Sequence, residues 1–93
     1  MFARVSTLEG APGQVDAAGG PVPPEVEALD GFKGAYVLAD RQSGKVLIMT
    51  LWETEEAMRS SAELAKQIRG DIAKDVGARA APIVEMYEVM AQP

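Results

Sequence analysis

Residues 46–52, Val-Leu-Ile-Met-Thr-Leu-Trp, are apolar on both parities. A strand with one wet face alternates apolar and polar side chains, so a run of this kind has to be covered on both of its faces. Directly after it comes Glu53-Thr54-Glu55-Glu56, a helix start with a threonine cap and an acidic first turn. Before it lie a second apolar segment, 31–41, and a turn, 41–44, whose Ser43-Gly44 pair supplies the left-handed conformation that a tight hairpin needs. Strand, turn, buried strand (45–53) and capped helix in immediate succession fix the centre of the fold.

The flanks complete it. Residues 2–9 (FARVSTLE) are β-rich and partly alternating, and predict a first strand. Across 10–30, Gly10, Pro12, Gly13, Gly19, Gly20, Pro21, Pro23 and Pro24 interrupt the chain, while Val15, Ala18, Val22, Val26 and Leu29 recur at helix-like spacing. The two signals together predict a short helix near 13–18, a break at 19–23 and a second helical piece over 24–30. Prolines in the first turn of that piece are well placed, because their missing N–H would be unpaired anyway. From Thr54 the spacing predicts one long helix with Ala57, Ser61, Leu64, Ala65, Ile68, Ile72 and Val76 as a continuous buried stripe. Gly77 and Pro82 end it, and 82–90 is the last strand. The order β-α-β-β-α-β is the ferredoxin-like α+β pattern, in a single domain over residues 1–93.

In that topology both helices lie on one face of the sheet, yet strand 46–52 is apolar on both. The last strand is too, with Ile83, Tyr87 and Val89 on one side and Val84, Met86 and Met90 on the other. An uncovered apolar sheet of this size marks an interaction surface. A symmetric homodimer packing two open faces together is the simplest cover, and ~600 Å² of apolar surface per protomer would contribute about 15 kcal/mol gross.

Composition narrows the chemistry. The chain contains no His, no Cys and no Asn. Disulfides, thiolate nucleophiles, serine–histidine catalysis and zinc sites built on imidazole or sulfur are thereby excluded. Glu53, Glu55 and Glu56 sit at a helix N-terminus, where carboxylates complement the dipole, and no metal site is expected. A net charge of −5 with nine scattered Lys and Arg lacks the basic face that nucleic acid requires. No apolar run approaches the ~20 residues of a membrane span, and Met1-Phe2-Ala3-Arg4 lacks a signal-peptide layout, so a cytoplasmic location is expected.

Gly31-Phe32-x-Gly34-x-Tyr36, Asp40-Arg41-x-Ser43-Gly44-Lys45 and Leu51-Trp52-Glu53-Thr54-x-Glu56-Ala57-Met58 together resemble the antibiotic biosynthesis monooxygenase (ABM) family. The resemblance covers most of residues 1–91, is best over 31–58 and is poor over 12–24. It implies the dimeric α/β barrel fold. It also implies cofactor-independent oxygenation of a small aromatic, polyketide-type substrate in a cavity between the sheets. An electron-rich phenolate or enolate can itself reduce dioxygen, so the protein need only bind, orient and stabilise the anion, with no cofactor. Haem-degrading relatives use Asn, Trp and His, and polyketide oxygenases use Asn, Trp and Tyr. Of these only Trp52 carries over by position.

Trp52 is accordingly the candidate catalytic residue, stacking on a planar substrate and offering its N–H, with a core tryptophan as the alternative. Tyr36, Thr50, Arg4 and Tyr87 are the candidate substrate contacts. Tyr36 could equally pack beside Phe32, and Arg4 could pair internally with Glu85 or Glu88. The 19–24 segment beside the sheet could act as a gate or as a rigid loop held by its prolines. A non-catalytic ligand-binding or structural homodimer is the alternative to an enzyme.

Overall fold

Four strands form one antiparallel sheet in the computed structural model, which describes residues 1–93. β1 (Phe2–Glu9) and β3 (Lys45–Trp52) are the central pair, flanked by β4 (Ile83–Glu88) beside β1 and β2 (Phe32–Ala39) beside β3, in the order β2-β3-β1-β4. β2 and β3 are joined by the expected hairpin. Gly44 takes φ +84°, its N–H donates to the Asp40 carbonyl at 2.8 Å, and the Asp40 carboxylate accepts from the Gln42 N–H at 2.9 Å. The conformation is left-handed, and only glycine adopts it without strain.

The register sorts the side chains into two faces, because directly paired residues share a side. Phe2, Arg4, Ser6 and Leu8 of β1 lie opposite Trp52, Thr50, Ile48 and Val46 of β3, which in turn lie opposite Phe32, Ala35, Val37 and Ala39 of β2. This face carries the helices. Its far end is sealed by Leu8, Val46, Val15, Ala18 and Val76, all buried, with Ile48, Ile72, Ala73 and Ala78 against them. Trp52 closes the near end, 1 % exposed and edge-on to Phe32 with ring centroids 5.5 Å apart.

The helical elements depart from expectation in three places. Residues 13–18 form a 3-10 segment, Pro12–Ala18, and the second piece is a single turn, α1 (Pro24–Glu27), because the prolines and glycines leave no room for a longer ladder. The long helix is two: α2 (Glu55–Ser60), capped by Thr54 Oγ1 accepting from the Ala57 N–H at 3.0 Å, and α3 (Ala62–Asp75). Ser61 causes the break. Its backbone N–H turns to the Met58 carbonyl at 3.3 Å, and its hydroxyl donates to the same oxygen at 2.7 Å. Third, α3 buries no residue fully, although its stripe has the expected spacing, because it stands above a cavity rather than on a filled core. Gly77, at φ +67°, ends it as expected.

The opposite face of the sheet has no helix over it. Tyr36, Leu38, Leu47, Met49, Leu51, Val5, Ile83 and Tyr87 share it, with Tyr36 60 %, Ile83 61 % and Tyr87 50 % exposed.

Candidate functional site

Between the sealed end and Trp52, the middle two rows of the helix-bearing face are the floor of a cavity of about 380 Å³. Arg4, Thr50 and Ala35 form one row and Ser6, Ile48 and Val37 the next. The roof is the α3 stripe, Leu64, Ala65, Ile68, Arg69 and Ile72, with Ser61 at its start. One wall is residues 17–23, and the α1 side chain Val26 completes it. The chain break at 19–23 therefore borders the cavity, as a gate or loop beside the sheet would.

The polar groups in this space are few and concentrated. Arg4, Ser6 and Ser61 are the buried polar residues of the chain, each under 5 % exposed, and all three line the cavity. Arg4 Nη1 donates to Ser61 Oγ at 2.8 Å, and Arg4 Nη2 donates to the Met58 carbonyl. The Met58 carbonyl thus accepts from both Ser61 and Arg4, so the helix break and the arginine seat are one device. Arg69, half-buried on α3, donates through Nη1 to Ser6 Oγ at 3.4 Å. Burial first, and the charge of Arg69 second, push the Arg4 guanidinium below its ordinary range; burial does the same to Arg69. No carboxylate lies within salt-bridge distance of either.

The five candidates separate by strand parity. Arg4, Thr50 and Trp52 line the cavity together. Tyr36 pairs with Met49 and Tyr87 with Ala3, so both tyrosines lie on the open face, away from the cavity. The expected Arg4 pairing with Glu85 or Glu88 does not form: Glu85 pairs with Val5 on the opposite face, and Arg4 bonds to neutral oxygens. The cavity of the protomer lies between sheet and helices. Trp52 borders it but is 1 % exposed, and its Nε1–H donates to Thr50 Oγ1 at 2.9 Å. That leaves no open ring face for stacking and no free N–H. Ser6, Ser61 and Arg69 were not anticipated. Their signals were Ser6 at the parity of Arg4, and Ser61 and Arg69 eight residues apart on one helical stripe.

No protein-family model matches the chain. Two Mycobacterium tuberculosis proteins described as uncharacterized, Rv2558 and Rv2557, are each 40% identical to it, over 73 and 70 residues. These matches take in 74% and 75% of this chain but only 31% and 30% of the relatives, so the chain spans about a third of their length. Among solved structures, a monooxygenase from the gene ActVA-Orf6 of Streptomyces coelicolor, in complex with nanaomycin D, superposes with a TM-score of 0.77 at 20% identity, over 99% of this chain and 89% of that one. A Deinococcus radiodurans protein described as a candidate antibiotic biosynthesis monooxygenase gives 0.70 at 19% identity, over 100% and 96%. The heme-degrader MhuD of M. tuberculosis, with two hemes bound, gives 0.62 at 20% identity, over 100% and 99%. The chain has the ferredoxin-like fold of the antibiotic biosynthesis monooxygenases, and the resemblance carried by residues 31–58 holds at the level of fold.

Haem does not fit this cavity. Its lining contains no His, Cys, Met or Tyr, the side chains that ligate haem iron.

Proposed function

We propose that this chain is a cofactor-independent monooxygenase of the ABM family, acting on a small aromatic substrate in the cavity between the sheet and α3. The observation that carries the reading is the cavity itself. At about 380 Å³ it falls within the range of roughly 300–1,000 Å³ typical of small-molecule sites, and it is mostly apolar with a few convergent polar groups. The bound nanaomycin D of the Streptomyces neighbour supports a small-molecule ligand in this fold.

In this reading the substrate supplies the electrons. Its phenolate or enolate reduces dioxygen; one oxygen atom enters the product and the other leaves as water. The chain orients the substrate, excludes solvent and stabilises the anion. Thr50 is a donor suited to that task, because its hydroxyl accepts from Trp52 and so keeps its own hydrogen for the cavity. Trp52 is then a positioning residue that acts through Thr50, and Arg4 is the buried cation. Tyr36 and Tyr87 belong instead to a homodimer interface, which we propose covers the open apolar face, in a cytoplasmic protein.

The test is oxygen uptake with a panel of anthrones and hydroquinones, using the wild type, Trp52→Phe and the near-isosteric Thr50→Val. The expected result is accelerated uptake of one O₂ per substrate, lowered about tenfold or more in both variants. Saturable binding without accelerated uptake would establish the non-catalytic alternative, which the burial of Trp52 favours.

A further inference from the structure

The largely apolar cavity, partly open to solvent, is lined by two guanidinium groups with no carboxylate in salt-bridge distance. Arg4 is 4 % exposed, and its hydrogen bonds go to a hydroxyl and a backbone carbonyl, both neutral. Those bonds use part of its donor set, one at each terminal nitrogen, and no buried side-chain nitrogen or oxygen of the chain lacks a partner. Arg69 reaches the same space from the roof and touches only Ser6 Oγ, at 3.4 Å. Ser6 and Arg4 are alternate residues on one face of β1, so the two seats adjoin.

A buried cation without a counter-charge is among the most costly features a small domain can carry. Neutral hydroxyls orient Arg4 but do not cancel its charge. The carboxylates nearest the cavity, Glu25, Asp71 and Asp75, are all exposed, and none comes within 4.0 Å of either arginine. Water screens them, whereas Arg4 is buried, where charge interactions are stronger. The remaining lining is apolar, including Val26, Val37, Ile48, Leu64, Ile68 and Ile72.

We propose that the cavity binds a small carboxylic acid with an apolar, aromatic body, its carboxylate held between Arg4 and Arg69 and its body laid along Ile48, Val37 and the α3 stripe. A carboxylate fits better than a phenol because it is already ionised at neutral pH and accepts from two planar guanidinium forks at once. Ser61 and the Met58 carbonyl hold Arg4 in place for this contact, and Ser6 steadies Arg69. The inference rests on the reading of the cavity as a ligand site and adds the charge of the ligand to it.

The probes are 2-naphthoate and its neutral isostere 2-naphthamide, titrated by calorimetry and by the fluorescence of Trp52, the single tryptophan. Wild-type protein is expected to bind the carboxylate about tenfold or more tightly than the amide. In Arg69→Gln, a half-buried position whose folding is checked by thermal unfolding against wild type, that preference is expected to collapse while amide binding is unchanged, and Arg4→Gln is expected to do the same. A merely structural arginine would weaken both ligands alike. Equal affinity of wild type for naphthoate and naphthamide would overturn the carboxylate and leave the cavity reading standing. Binding of neither would overturn both. A preference that survives in Arg69→Gln would overturn the two-arginine clamp.

Discussion

Arg4 Nη1 lies 2.8 Å from Ser61 Oγ, a bond that ties the first strand to the break between α2 and α3 across 57 residues of chain. The same serine turns the helix and seats the arginine, so helix geometry and cavity chemistry depend on one side chain. Ser61→Ala is expected to cost about 1–3 kcal/mol, because it leaves a charged donor buried without its partner. Thermal unfolding measures it. A variant as stable as the wild type would show that the bond does not hold the break in place.

The start of α2 depends on Thr54, whose Oγ1 accepts from the Ala57 N–H at 3.0 Å. Thr54→Ala is expected to lower stability by about 1 kcal/mol, while Thr54→Ser retains most of it. For a domain of this size the loss corresponds to roughly 4–8 °C in melting temperature. Equal melting of the Ala and Ser variants would remove the cap from the account.

Arg41 in the hairpin turn makes a bidentate pair with Asp16 in the 3-10 segment, at 2.6 and 3.0 Å, with both side chains exposed. Hydrogen bonding to Arg41, and then its charge, hold the Asp16 carboxyl below the usual carboxylate range. A depressed folded-state value means that the contribution is complete above about pH 4, the ordinary aspartate value, and is lost as the pH falls through the folded-state value. Urea unfolding of wild type and Asp16→Asn across this range should give a small difference at neutral pH that closes in acid. A difference that widens on acidification would contradict the sign. Because the pair is exposed, the effect should also shrink with added salt.

The open sheet face predicts association. Tyr36 and Ile83 are both about 60 % exposed there, among Leu38, Met49 and Tyr87. Sedimentation velocity is expected to show a dimer for the wild type, and a folded monomer for Tyr36→Lys combined with Ile83→Glu. A wild type that remains monomeric at micromolar concentration would contradict the proposal.

The hairpin and the Thr54 cap were legible in the sequence because each depends on neighbours a few residues apart, and the element order followed from the strand and helix signals along the chain. The break at Ser61 was not, since a serine fits a helical stripe, and the sequence does not show that its hydroxyl turns back to the Met58 carbonyl, an oxygen that also accepts from Arg4, distant in sequence. The separation of the candidates had the same origin. Only the register, with Tyr36 opposite Met49 and Arg4 opposite Thr50, shows that the tyrosines lie on the other face from the arginine. The cavity was illegible for a different reason. Leu64, Ile68 and Ile72 have the spacing of a packed core, and spacing does not report whether the space beneath a stripe is filled. The run that was apolar on both parities showed two faces in need of cover, and the structure places a cavity over one of them, under α3.

The proposed function requires a small aromatic ligand to enter the space between the sheet and α3. Amide chemical-shift mapping during titration with 2-naphthoate or an anthrone tests this most directly. The expected result is a saturable response at Arg4, Ser6, Thr50, Ser61 and Arg69 and at the Trp52 indole N–H, with Tyr36, Leu38 and Tyr87 unmoved. Shifts confined to the open face, or no saturable shifts with either ligand, would contradict it.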